Sequence, residues 1–357
     1  MRIPEKELMA RVEQGLIKVV EHPTLPLKLW NYTDACVYKH RNWDYYTLSA
    51  RGLVTDGDEV VSLPFQKFFN AGEVPETMES SLPDLPYEAT KKRDGSMIQV
   101  YGYRDKVMIH TRGAWANEQT EVAARIVKDS FDLGVVENLC LQQRMTLLHE
   151  VEYPGNGTVV AREHALPLIG ARNNVTSEDH FHKHLTKIAA VLKCPVVELY
   201  DGMELNAIFA YNEPGSEGFV VRYTNGMRMK VKTMWFRSMF RVRNFWSPVR
   251  IIEMLEKNEK LDLDQVDYTE DERNVVNEYI EQFTIEFNKV KDAAARYVAK
   301  AEGTRKEKAA FFNKHCQPIT MAVCFALLDG KPYDHIIWKG LKQGLKDKEE
   351  DTDVWTG

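Results

Sequence analysis

Cysteine is scarce in this 357-residue chain, and its pattern excludes a good deal. The five residues Cys36, Cys140, Cys194, Cys316 and Cys324 are scattered, odd in number and without a C-x-x-C pair. That argues against a disulfide scaffold and a zinc site and for free, buried thiols in a reducing cytoplasm. Long apolar runs are also missing. The longest, Met321 to Leu328, falls far short of the roughly 20 residues that span a bilayer, so no membrane partner is expected. The N-terminal Met1-Arg2-Ile3-Pro4-Glu5-Lys6-Glu7 lacks the apolar stretch of a signal peptide. An excess of positive charge is absent too: 47 Lys and Arg stand against 53 Asp and Glu, a net charge of −6. A chain that coats nucleic acid through bulk charge is therefore disfavoured, although a local basic cleft is not excluded.

What is present is enough apolar material, 44%, to bury a full core, with 28% charged residues. At roughly 150 residues per domain the length suggests two domains. The first two-thirds read as mixed α and β. Leu8, Val12, Leu16 and Val19 recur at helical spacing behind Pro4, predicting a helix from Pro4 to about Val20. Asp56-Gly57 predicts a hairpin joining Ser49–Val54 to Glu59–Leu63. Ser96–Tyr103 and Lys106–Thr111 form a second hairpin, and Glu217–Tyr223 and Met227–Lys232 a third around Asn225-Gly226. Ala116–Phe131 reads as a helix and Met145–Val151 as a strand. Antiparallel hairpins with intervening helices predict an α+β domain. Beyond about Arg243 no strand pair is expected. Ile251–Lys260, Thr269–Lys300, Arg305–His315 and Ile319–Leu328 read as helices, and the polar tail from Lys342 is expected to fray. Trp246-Ser247-Pro248 marks the boundary, giving domains 1–246 and 247–357.

Four charged signals stand out in the first domain. Lys92-Arg93-Asp94-Gly95 is a K-x-D-G tetrad, which alone reads first as a surface turn leading into a strand. Its sharper reading is a lysine nucleophile for the α-phosphorus of a nucleotide, forming a phosphoramidate once the amine is deprotonated. Lys230-Val231-Lys232 lies on a predicted strand, where a period of two puts both ammonium groups on one face. Such a pair is either a solvated face or the seat of an anion such as a triphosphate. Glu217 opens the strand paired with the lysine strand, close to Lys232, where a carboxylate can face the water shell of a divalent metal. Glu150 is embedded in the apolar strand Leu147–Val151 and needs a partner there, a ribose hydroxyl being one candidate.

In this order and spacing the four resemble the motif series of covalent nucleotidyltransferases: K-x-D-G, a strand glutamate, E-G-h-V and K-h-K, where h is apolar. That superfamily contains ATP-dependent DNA ligases, RNA ligases and mRNA capping enzymes, and the likeness runs from about Arg51 to Phe236. Arg51-Gly52 followed by Pro64-Phe65-Gln66-Lys67-Phe68-Phe69-Asn70 resembles the N-terminal signature of the bacteriophage RNA ligase 1 family. Thr111-Arg112-Gly113 and the segment Glu150 to Val160, with Pro154 and Asn156, are similar to its next elements. Arg112, Gly157 and Phe236 stand where a lysine, a basic residue and a tyrosine are usual.

The resemblance implies a nucleotidyltransferase domain with antiparallel sheets followed by an all-helical domain that selects the RNA substrate. It implies an ATP-dependent RNA ligase that carries AMP on Lys92. Arg51 and Lys67 would bind the β- and γ-phosphates, with Asp94, Gly95, Arg112, Glu150, Lys230 and Lys232 completing the nucleotide site. Lys92, Glu217, Lys230 and Lys232 form the catalytic set, and Glu217 faces Mg2+ or Mn2+ through water. The implied partner is RNA with 3′-hydroxyl and 5′-phosphate ends, including cleaved tRNA, met by a monomer in the cytoplasm. A DNA ligase or capping enzyme shares the core motifs but usually carries a β-rich domain after the lysine pair. A non-sealing RNA-end sensor would need no lysine nucleophile.

Other residues are weaker candidates. Lys91 is an alternative nucleophile outside the K-x-D-G register. His180, His182 and His184 alternate as metal ligands on a strand would, but they also fit the start of a helix over Phe181–Leu192. Cys316 and Cys324, beside His315, are expected in the core. Phe240, Phe245 and Trp246 near Arg237, Arg241 and Arg243 suit either RNA stacking or helix packing.

Overall fold

The structure, a computed structural model, describes residues 1–40, 43–154, 156, 159–160, 163–259 and 270–353. Among the described residues twelve strands run in chain order: β1 (Ile17–Glu21), β2 (Lys28–Tyr32), β3 (Arg51–Asp56), β4 (Glu59–Ser62), β5 (Phe69–Asn70), β6 (Tyr87–Lys91), β7 (Ser96–Tyr103), β8 (Lys106–Thr111), β9 (Met145–Val151), β10 (Leu168–Asn173), β11 (Gly218–Tyr223) and β12 (Arg228–Lys232). They form three four-stranded sheets, ordered β1-β2-β3-β4, β10-β9-β7-β8 and β5-β12-β11-β6. Among the described residues these strands pair antiparallel, except the two-residue β5 against β12. The architecture is therefore α+β with antiparallel sheets, as the hairpins suggested.

The chain divides into two compact units, Met1–Phe236 and Arg237–Gly357. This division lies earlier than Trp246. In the first unit, the alternating Ile98, Val100 and Leu147 of β7 and β9 bury one face of their sheet. They pack with Val122 and Val127 of the helix Glu118–Ser130 and with Leu185 and Leu192 of the helix His182–Leu192. A separate apolar cluster of Phe219, Val221, Met229 and Val231 covers one face of the β11–β12 hairpin. Because side chains alternate along a strand, the residues between them, including Lys230 and Lys232, project from the other face.

The second unit contains helices Pro248–Glu256, Glu270–Lys300, Arg305–His315, Pro318–Leu328 and Asp334–Asp353, and no strand among its described residues. Val276 and Phe283 join Ile251, Ile252 and Trp338 in one apolar cluster. Phe312, Cys324 and Ala294 anchor another.

Three local readings need correction. The first helix ends at Glu13, and the apolar Ile17 to Val20 belong to β1. Gly15, with φ at +72°, makes the break. Strands β2, β5, β6 and β10 were not expected from the residue pattern. Much of the tail from Lys342 is not frayed but belongs to the helix Asp334–Asp353, anchored by Ile337 and Trp338 in the core.

Candidate active site

Lys92 follows directly on β6, an edge strand held against β11 with Lys91 opposite Phe219. The Lys92 amide donates to the Gly218 carbonyl at 2.7 Å, which fixes the backbone where the lysine side chain departs. Two glycines make this junction possible. Gly218 has φ at +127°, and a Cβ there would lie 2.0 Å from the Val231 carbonyl oxygen. A Cβ on Gly95 would lie 2.4 Å from the Val151 carbonyl oxygen. Both positions demand the backbone approach that only glycine permits.

The Lys92 ammonium meets Glu217 Oε2 at 2.7 Å, and Lys232 meets the other carboxylate oxygen, Oε1, at 3.2 Å. Glu217 is 3% exposed and sits one residue before β11, so this buried carboxylate bridges the two lysines. Lys91 instead lies 3.6 Å from Glu198, away from Glu217.

A cavity of about 460 Å³ opens beside Lys92; Arg51, Arg112, Glu150 and Lys230 are among the residues that line it. Arg112 is held by a 2.9 Å bond to the Tyr32 hydroxyl, which accepts it. Lys230 lies 4.9 Å from the Phe68 ring centroid, and Arg51 5.5 Å from it. Burial, aided by Lys67, Arg51, Lys92 and Lys232, pushes the Lys230 ammonium down to about 6. Lys67 is likewise lowered, by burial first and then by Arg51, Arg112 and Lys232, with Glu73 opposing. Arg51 is lowered by burial and by Arg112. Burial raises the Glu150 carboxyl to about 7, with Glu217 adding to the rise and Lys92 opposing it. Arg51, Lys92, Arg112, Lys230 and Lys232 thus gather around two carboxylates, Glu150 and Glu217, with Lys67 near enough for Arg51, Arg112 and Lys232 to add to its lowering. Such a surplus of mutually repelling cations is stabilised by an anion of high charge density.

Not every candidate from the sequence faces the cavity. The buried Asp94 carboxylate accepts from the backbone amides of Val159 and Val160, both at 2.9 Å, and so tethers a loop. Lys67 lines a neighbouring cavity, its Nζ 4.6 Å from the Phe69 ring centroid. Gly157 lies outside the described residues. Phe236 is buried, with the Lys232 ammonium 4.7 Å from its ring centroid.

The three histidines do not share a strand face. His182 begins a helix and donates from Nε2 to the Val197 carbonyl at 2.7 Å. No group of three or more His, Cys, Asp or Glu able to hold a metal occurs among the described residues. Both His180 and His182 nonetheless line the cavity wall, which their loop-like context did not reveal. Arg93, silent in the tetrad, pairs with Glu152 through two 2.6 Å bonds and with Glu198 at 3.0 Å. It thereby clamps the turn that carries Lys92. Trp246 packs into the helical core and Phe240 is exposed. The side chains of Arg241, Arg243 and Phe245 lie outside the described residues.

A family model described as RNA ligase matches residues 49–243, more than half of the chain and all of the motif residues named above. The chain belongs to the RNA ligase family. A provisionally named RNA ligase from Thermovibrio ammonificans is 31% identical over 118 residues, covering 33% of this chain and 31% of the relative. An archaeal ATP-dependent RNA ligase structure is 12% identical, with a TM-score of 0.48, over 93% of this chain and 97% of the other. A Naegleria gruberi RNA ligase structure with PPi is 15% identical, with a TM-score of 0.40, over 49% of this chain and 58% of the other. This RNA ligase family member thus spans about a third of the Thermovibrio relative. The family assignment rests on the sequence match across residues 49–243, where the lysine, glutamate and arginine constellation lies.

Proposed function

We propose that this chain is an ATP-dependent RNA ligase that joins RNA 3′-hydroxyl and 5′-phosphate ends through a lysyl-AMP intermediate. The observation that carries the reading is Lys92, ion-paired to a buried carboxylate and surrounded by cations, in a chain of the RNA ligase family. An amine held as an ion pair is not yet a nucleophile. ATP entering this site brings phosphates that compensate Lys230, Lys232, Arg51 and Lys67. Lys92 then gives its proton to water, and its nitrogen forms a bond to the α-phosphorus as the bond to the pyrophosphate oxygen breaks. The surrounding cations stabilise the charge that develops on the departing pyrophosphate.

AMP next passes to the RNA 5′-phosphate oxygen, freeing Lys92. The 3′-hydroxyl then attacks the same 5′-phosphorus, and AMP leaves. The apolar side chains Ile169, Leu185, Val197 and Val220 line the cavity and suit the adenine base. Glu217, a buried carboxylate between Lys92 and Lys232, would face the water shell of a divalent ion carried on the phosphates, and Mg2+ or Mn2+ held there would supply further charge neutralisation.

The finer role we infer is RNA repair in the cytoplasm by a monomer, with cleaved tRNA among the substrates and with residues 247–357 selecting among RNAs. The test is a 5′-phosphorylated, 3′-hydroxyl RNA incubated with protein, ATP and Mg2+, beside a DNA of the same sequence. Sealed RNA and an adenylylated RNA intermediate are expected. Sealing of DNA alone would point to a DNA ligase, and a lysyl-AMP adduct without sealing of either would point to an RNA-end sensor.

A further inference from the structure

A second cavity of about 820 Å³ adjoins the first, with Phe68, Arg222 and Arg228 lining both. Its walls are unlike those of a solvent groove. Arg172, Arg222 and Arg228 converge there with Asp179, and Lys67 stands at its edge with Trp43 and Phe69. Asp179 meets Arg228 at 2.6 Å and Arg222 at 3.7 Å. Arg222, with its side chain 9% exposed, donates to the carbonyls of His180 and Asp179, at 2.8 and 2.6 Å. Arg172 donates to the Pro64 carbonyl at 2.5 Å and more weakly to that of Ser177 at 3.4 Å. After those bonds the Nε atoms of Arg172 and Arg222, and Oδ1 of Asp179, remain buried with no hydrogen-bond partner.

Apart from Lys67, which the ATP phosphates engage, three arginines line this cavity with two carboxylates, Asp179 and the exposed Glu76. Unpaired buried guanidinium donors are costly to a fold. The chemistry that satisfies them is phosphate, which a guanidinium recognises with paired donors. The aromatic edge of Trp43 and Phe69, rings 5.5 Å apart, suits the base or ribose attached to that phosphate, because aromatic rings receive bases with little regard to sequence.

We propose that this second cavity holds a nucleotide of the RNA strand, its phosphate at Arg172 and Arg228 and its base toward Trp43. The inference rests on the RNA ligase reading above. It gives the RNA a seat next to the nucleotide pocket within the first unit. Arg228, which lines both cavities with its guanidinium 4.2 Å from the Phe65 ring centroid, is the residue the two would share.

The test is fluorescence anisotropy of a labelled, 5′-phosphorylated single-stranded RNA on the full chain, with and without saturating α,β-methylene ATP. RNA affinity is expected to change by less than about twofold when the ATP analogue is added, and inorganic pyrophosphate is expected to displace the analogue but not the RNA. Arg172→Gln and Trp43→Leu are each expected to weaken RNA binding about tenfold, and 4-thiouridine near the RNA 5′ end is expected to cross-link within residues 43–69 or 222–228. Two variants on different walls guard against one failing to fold, which circular dichroism reports. Displacement of RNA by the analogue or by pyrophosphate would make this cavity an extension of the triphosphate site and overturn the inference. Unchanged RNA affinity in both folded variants would do the same. Lysyl-AMP formation by the wild-type chain, measured alongside, judges the ligase reading separately: a chain that forms the adduct but binds RNA elsewhere loses only this inference.

Discussion

Lys230 shows how the site's charge is stored at the scale of single residues. Its ammonium is buried among Lys67, Arg51, Lys92 and Lys232, and its pKa falls to about 6. Above that pH the free protein holds Lys230 neutral. A bound triphosphate removes the repulsion and raises the pKa, so binding must take up a proton. At pH 8, calorimetry of ATP-analogue binding in buffers of different ionisation enthalpy should show uptake approaching about one proton, largely lost in Lys230→Met. Equal proton uptake in wild type and variant would remove Lys230 from the phosphate site. Glu217 stores the opposite charge, touching both Lys92 and Lys232. Glu217→Ala is expected to slow lysyl-AMP formation on the order of 10²-fold, the scale seen when one preorganised electrostatic group is removed. Glu217→Gln, which still accepts hydrogen bonds, should lose less. A rapid single-turnover adenylylation assay distinguishes them, and full activity in Glu217→Ala would contradict the assigned role.

Whole elements explain what could be read in advance. The hairpins β3–β4, β7–β8 and β11–β12 were legible because a short turn joins partners that lie side by side in the sequence. With β11 and β12 placed by Asn225-Gly226, the approach of Glu217 to Lys232 followed. Strands β6 and β10 escaped notice because no short turn joins them to their partners: β6 pairs with β11, some 130 residues along, and β10 pairs with β9 with Leu168 opposite His149. Both are edge strands, half-buried, without the continuous apolar runs of central ones. The tethering role of Asp94 was hidden for a related reason. A motif names the residue but not its partner, and its two amide donors come from a loop 65 and 66 residues away. The glycine before β11 is the sharpest test at this scale. With φ at +127° and a Cβ that would strike the Val231 carbonyl, Gly218→Ala is expected to cost about 1–3 kcal/mol of stability through strain alone. Thermal melts should show the loss. An unchanged melting temperature would mean that the β6–β11–β12 junction relaxes freely and does not fix Lys92.

At the scale of the molecule, every motif residue lies in the unit Met1–Phe236, while the second unit carries its own apolar clusters. A fragment ending at residue 246 is therefore expected to keep lysyl-AMP formation within about tenfold while losing discrimination among RNAs. A fragment that is folded by circular dichroism but inert with ATP would show that the helical unit completes the active site. The central claim, however, is chemical: one lysine, Lys92, carries AMP. The most direct measurement is incubation of the full chain with α-labelled ATP and Mg2+, followed by a denaturing gel. A labelled, acid-sensitive adduct is expected on wild type and on Lys91→Ala, and none on Lys92→Ala. A near wild-type adduct on Lys92→Ala, or none on the wild-type chain, would contradict the account.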